Sequence, residues 1–351
     1  MRPFKPTPFH PRPWLSNAHL QTIAGNFLRR RDDLPPCTSE LVEVAPATAQ
    51  LISSQVLCHC HWQPAPFRAD RLTVIVLHGL EGSSSSQYVT GNACKMWRAG
   101  FNVVRMNMRN CGGTEVLSPT LYHSGLSGDV GAVLRTLGAR FDLHRFALCG
   151  YSMGGNLVLK LAGELRASDP RLLAVATVSP ALDLGASAHA LHYPSNRIYE
   201  RRFIRGLSKR FRQKASLFPM VYDPSRADHL HSLIEFDDRI TAHYAGFVSA
   251  ADYYYRAAAA RVLEGIAVPT LILHALDDPF VRVTDESRAE IHRNPNICLV
   301  ETEHGGHCAF LAKSIPSAND DGYWAETTLL RFLQIQTEVP ATRDAGLPTP
   351  F

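Results

Sequence analysis

Short runs of continuous apolar residues recur along the chain, each closed by glycine, serine or a charged turn. They are residues 71–77 (RLTVIVL), 101–106 (FNVVRM), 145–149 (RFALC), 173–179 (LAVATVS), 270–274 (TLILH) and 297–300 (ICLV). Apolar character without alternation marks strands buried on both faces of a parallel sheet. Helical spacing fills 88–99, 126–140 and 157–162, and a last helix is expected over 322–335. Strand and helix therefore alternate, which requires right-handed crossovers and a mostly parallel central sheet flanked by helices, an α/β fold. Residues 40–62 alternate instead, and read as two antiparallel strands.

Two stretches break this rhythm. Prolines 3, 6, 8, 11 and 13 exclude helix from the start of an arm over 1–36. Within the arm, residues 14–23 read as a helical start with Ser16 or Asn17 as N-cap, and Arg29-Arg30-Arg31 reads as a solvated basic face. The interval 181–265 is too long for one crossover. Phe203, Leu207 and Phe211 share a helical face there, so an inserted helical cap is expected. The cap's basic residues suit an anionic or interfacial substrate, but a solvated helix face is the simpler expectation. The organisation expected is arm 1–36, core 37–180, cap 181–265, core 266–336 and a flexible, proline-containing tail over 337–351.

Composition narrows the class. A chain of 351 residues that is 45% hydrophobic can bury a sizeable core. A net charge of +4 is too weak to argue for nucleic acid. The chain holds 8 cysteines, and Cys149 and Cys298 lie in strand-like runs as small hydrophobes. No signal peptide opens the sequence and no run of 18 apolar residues occurs, so a soluble, cytoplasmic protein is expected. Cys58-His59-Cys60-His61 resembles a metal motif, but alternate strand residues face opposite ways and no second ligand cluster follows. No metal or organic cofactor is expected.

The chemistry centres on Gly150-Tyr151-Ser152-Met153-Gly154, a G-x-S-x-G pattern between a strand and a helix. That context is the one a nucleophile elbow requires. A serine hydroxyl needs a base within hydrogen-bond reach and a third group to orient that base. The order Ser, acid, His is supplied by Asp277 or Asp278 after 270–274 and by His304 or His307 after 297–300. Asp278, just before a proline, is favoured over Asp277. His307, after a glycine pair, is favoured over His304. The backbone N–H groups of Met153 and Leu80, the latter in His78-Gly79-Leu80, are the candidate oxyanion donors.

The sequence resembles the α/β-hydrolase superfamily, and more narrowly its YheT-like branch. The stretches that carry the resemblance are 14–23, 78–82, Arg109-Asn110-Cys111-Gly112-Gly113, 122–125, 150–156, Phe236-Asp237, Asp252-Tyr253-Tyr254 and 304–307. It implies carboxylic-ester hydrolysis by a Ser152, Asp278, His307 triad through an acyl-enzyme. The substrate expected is a small-molecule ester of short to medium acyl chain, or a lipid-like ester. Mammalian members carry an N-terminal membrane anchor that is not seen here. Two other readings stay open: a non-catalytic ligand-binding or interaction protein on the same fold, and a thioesterase or acyltransferase. Acyl chain length and oligomeric state are left open.

Overall fold

The computed structural model describes residues 1–65, 67–314 and 321–337. Its centre is an eight-stranded sheet in the order β1-β2-β4-β3-β5-β6-β7-β8. Strands β1 (Thr38–Ala45) and β2 (Ser54–His61) pair antiparallel, and β2 is antiparallel to β4 (Asn102–Met106). The other strands, β3 (Thr73–Leu77), β5 (Phe146–Tyr151), β6 (Leu172–Val178), β7 (Thr270–Ala275) and β8 (Ile297–Thr302), run parallel to β4. Every residue of β3, β4, β5 and β7 is buried, as continuous apolar runs require.

Two apolar layers cover the sheet. On one face lie α3 (Ser127–Phe141) and α4 (Met153–Leu165), through Val130, Leu134, Leu157 and Leu161. On the other lie α2 (Gln87–Arg98) and the last helix, Trp324–Gln336, through Val89, Met96, Leu329 and Phe332. Cys58 and Cys60 point into the first layer, while His61 bonds the Pro35 carbonyl and the Arg105 side chain. Of the tail expected over 337–351, residues 338–351 lie outside the described residues.

The arm carries helix α1 (Ala18–Phe27), capped by Asn17, whose side chain accepts the N–H groups of His19 and Leu20. The basic run after it is not a uniformly solvated face. Arg30 turns inward, where Nε meets Glu326 at 3.1 Å and Nη1 donates to the Gly25 and Leu28 carbonyls.

Between β6 and β7 lie α5 (Leu184–Leu191), α6 (Arg197–Leu217) and α7 (Ala250–Ala257). Here too the basic residues divide. Lys214 is buried and donates to Asn110 Oδ1 at 2.6 Å and the Glu115 carbonyl at 2.7 Å. Arg210 pairs with Glu81 at 3.0 Å. The expected solvated face is therefore only the other side of α6.

Candidate active site

Ser152 sits where β5 turns into α4, with φ 52° and ψ −118°, a region that a side-chain-bearing residue rarely adopts. The turn is held by its own backbone: Ser152 N–H donates to Val178 O at 3.0 Å, and Asn156 N–H to Ser152 O at 3.1 Å. The flanking glycines are required by contact. A Cβ at Gly150 would lie 2.4 Å from Gly154 O, and one at Gly154 would lie 2.4 Å from His78 O.

The candidate partners come from the C-terminal ends of neighbouring strands. His307, beyond β8, faces Ser152 with Nε2 3.0 Å from Oγ. Its Nδ1 lies 2.8 Å from Asp278 Oδ2, beyond β7. Asp278 is buried, and its Oδ1 accepts the N–H groups of Phe280 and Val281 at 3.1 and 2.9 Å. With Asp278 accepting, the His307 proton resides on Nδ1 and Nε2 is left to accept from the serine hydroxyl. Burial of Asp278 disfavours its charge, but the His307 imidazole and these N–H donors outweigh that and hold its pKa below the usual carboxylate value. Burial likewise disfavours imidazolium at His307, yet the Asp278 carboxylate prevails and its pKa stands well above 6.5.

The competing acid and histidine pair with each other instead. Asp277 Oδ1 accepts the Gly306 N–H at 2.8 Å, and Oδ2 lies 3.5 Å from His304 Nδ1. Adjacent aspartates thus support adjacent parts of one loop.

Leu80 and Met153 line the cavity that opens over Ser152. It is partly open to solvent. Its apolar wall includes Leu184, Leu191, Phe203, Leu207, Phe211 and Phe280, so the helical face read at 203, 207 and 211 faces the cavity that Ser152 also lines. A buried carboxylate, Asp237, also lines it and accepts hydroxyl hydrogens from Tyr254 at 2.7 Å and Thr241 at 2.8 Å.

Three supporting residues were not foreseen. Thr22 Oγ1 accepts the His307 N–H at 2.9 Å. Tyr88 Oη accepts the Gly79 N–H at 2.8 Å. The Cys308 thiol lies 3.5 Å from His307 Nε2. Only Cys308 had a local signal, its position beside His307. Thr22 reaches the site from the distant α1, and Tyr88 from the start of α2, nine residues after Gly79.

Residues 73–220 match a family model described as alpha/beta hydrolase fold. The chain is 31% identical over 310 residues to YheT of Escherichia coli (strain K12), named as a candidate esterase, spanning 88% of each chain. It is 30% identical over 242 residues to phospholipase ABHD3 of Mus musculus, covering 69% of this chain and 59% of that one. Among solved structures, a 2,6-dihydroxy-pseudo-oxynicotine hydrolase superposes with a TM-score of 0.56 at 17% identity, covering 95% of this chain and 76% of that one, a likeness of fold.

Proposed function

The chain belongs to the α/β-hydrolase family, in its YheT-like branch, and from that premise we propose that it cleaves carboxylic esters with Ser152 as nucleophile, His307 as base and Asp278 as the orienting acid. The observation that carries this reading is the unbroken chain Ser152 Oγ, His307 Nε2 and Nδ1, Asp278 Oδ2, at 3.0 and 2.8 Å, mounted on a strained strand-to-helix turn.

In the proposed reaction His307 Nε2 takes the serine proton as Oγ attacks the ester carbonyl. The resulting imidazolium returns the proton to the departing alcohol, leaving an acyl-enzyme. Water then attacks with His307 again as base, and the carboxylic acid leaves.

The oxyanion falls to two backbone donors. Met153 N–H opens α4 and has no partner within the helix. Leu80 N–H is aimed through its neighbour. Met108 N–H donates to His78 Nε2 at 3.2 Å, so His78 carries its proton on Nδ1, 2.8 Å from Gly79 O. Gly82 N–H adds a second bond to that carbonyl at 3.1 Å. In a trans peptide the N–H opposes the C=O, so Leu80 N–H points away from the His78 ring, and Leu80 itself lines the cavity it shares with Ser152, which supports the assignment. Burial pushes the His78 pKa down to about 4, so the ring stays neutral in this role at working pH.

The segment 181–265 acts as a cap, and its apolar wall suits an acyl chain. All eight cysteines are free thiols, which supports a reducing compartment such as the cytoplasm. The test is hydrolysis of p-nitrophenyl butyrate and labelling by a fluorophosphonate. Both are expected in the native protein and absent from Ser152→Ala. Labelling that survives in the alanine variant would remove Ser152 from the role. A native protein inert to both reagents would favour a ligand-binding protein on this fold.

A further inference from the structure

Two exposed surfaces lie outside the site, on helices that touch. The first is on α1. Its inner face, Gln21, Thr22 and Gly25, is buried. Leu20, Ile23 and Phe27, three and four residues apart, form an outward stripe and are 52%, 45% and 70% exposed. Trp14, just upstream, is 92% exposed.

The second is the outer face of α6. Arg197, Arg201, Arg202, Arg205 and Lys209 are exposed there. At about 100° per residue they fall within an arc of roughly 140°, which also carries Ile198, itself 79% exposed. Among the described residues none of these five cations has an acidic partner. The one acid of the helix, Glu200, is buried and bonds His192 and the Leu233 N–H. Helices α1 and α6 touch where His19 Nδ1 lies 3.1 Å from Tyr199 Oη and the rings stack with centroids 5.7 Å apart.

A charged helix face alone is an ordinary solvated surface. An apolar stripe alone could cover a second copy of the chain. Their junction is more specific. Large apolar side chains leave water for a lipid interface, tryptophan favours the headgroup level, and unpaired cations are drawn to negative headgroups. We propose that the outer faces of α1 and α6 together form a peripheral docking surface for a bilayer containing anionic lipid. Among the described residues no helix is long and apolar enough to cross a membrane, so the contact would lie in the interface. The same α1 bonds the His307 loop from its inner face, which would set the cavity beside the lipid.

The experiment is co-sedimentation of the full chain with phosphatidylglycerol–phosphatidylcholine vesicles and with phosphatidylcholine vesicles alone. Binding to the anionic vesicles is expected to be at least about tenfold tighter and to weaken between 50 and 500 mM salt. Leu20→Ser/Ile23→Ser/Phe27→Ser and Arg201→Glu/Arg202→Glu/Arg205→Glu should each lose it while retaining hydrolysis of soluble p-nitrophenyl butyrate. Equal sedimentation with both vesicles, or undiminished binding by both variants, would overturn the proposal. So would a native dimer that the serine variant dissociates, since the stripe would then cover a second copy. Sedimentation is read without turnover, so the result is separable from that of the esterase test.

Discussion

The backbone N–H of His307 donates to the hydroxyl of Thr22, 285 residues earlier, at 2.9 Å. That hydroxyl in turn donates to Ala18 O at 2.7 Å, one turn back along α1. Gly306 fits beneath this contact only because it lacks a side chain: a Cβ there would lie 2.6 Å from Ala18 O, and the residue has φ 57°. The arm is thus part of what holds the candidate base in place. Thr22→Val keeps the shape and removes the acceptor. It is expected to lower kcat about tenfold with little change in KM, as loss of one buried hydrogen bond and slight displacement of a reacting group would do. Thr22→Ser should restore the rate. Equal loss in both variants would assign Thr22 to packing alone.

The dependence of rate on pH follows from the environment of His307. Only neutral imidazole can accept the serine proton, and Asp278 raises the pKa of the ring. The acidic limb of kcat/KM is therefore expected to have its midpoint above pH 6.5, with activity lost below it. In Asp278→Asn the largest attraction is gone while burial of the ring remains, so the midpoint should fall from its native position. The rate at the plateau should drop by about 10⁴, since the tautomer is no longer held. Asp277→Asn should leave the midpoint in place. A shift in Asp277→Asn equal to that in Asp278→Asn would contradict the division of labour between the two acids.

Tyr88 supports the loop that carries Leu80. Its hydroxyl takes the Gly79 N–H, and its ring stacks on Tyr151, beside the nucleophile, with centroids 4.6 Å apart. Tyr88→Phe keeps the stacking and leaves the Gly79 N–H unpaired, at a cost of about 1–3 kcal/mol. If that loop supplies an oxyanion donor, kcat should fall at least about fivefold beyond any effect on KM. A change confined to melting temperature would place the bond in folding only.

Asp237 makes stability depend on pH. Burial drives its carboxyl pKa up to about 6 from 3.8, against the help of the Tyr254 and Thr241 hydroxyls. Between those values the folded chain holds a proton that the unfolded chain has released. Stability should therefore fall as pH rises through that window, by about 3 kcal/mol in all. Asp237→Asn removes the titration while keeping the shape. Its melting temperature should exceed that of the native protein at pH 8 and approach it at pH 4.5. The reverse ranking at pH 8 would mean that the charged form has a stabilising partner.

The parallel strands, the elbow and the candidate residues Ser152, Asp278 and His307 were legible in the sequence because each has a local signature. Apolar runs mark buried strands, glycines mark a turn that tolerates no side chain, and the order of serine, acid and histidine reflects the order of strand ends along one sheet edge. The same runs could not reveal which way neighbouring side chains turn. The proline after Asp278 favoured it over Asp277, but only the packed loop sends Asp277 to His304 and Asp278 to His307. Arg30, Arg210 and Lys214 read as members of solvated basic runs, yet each finds buried acceptors contributed by segments at least 57 residues away, apart from the nearby Gly25 and Leu28 carbonyls. Thr22 lies in the 14–23 stretch that carries the family resemblance, but nothing there assigns it to His307, and Tyr88 carries no motif. Local pattern determines which elements form, because periodicity and turn chemistry act over a few residues. Their partnerships were decided by tertiary structure, because a hydrogen bond depends on position in space and not on separation along the chain.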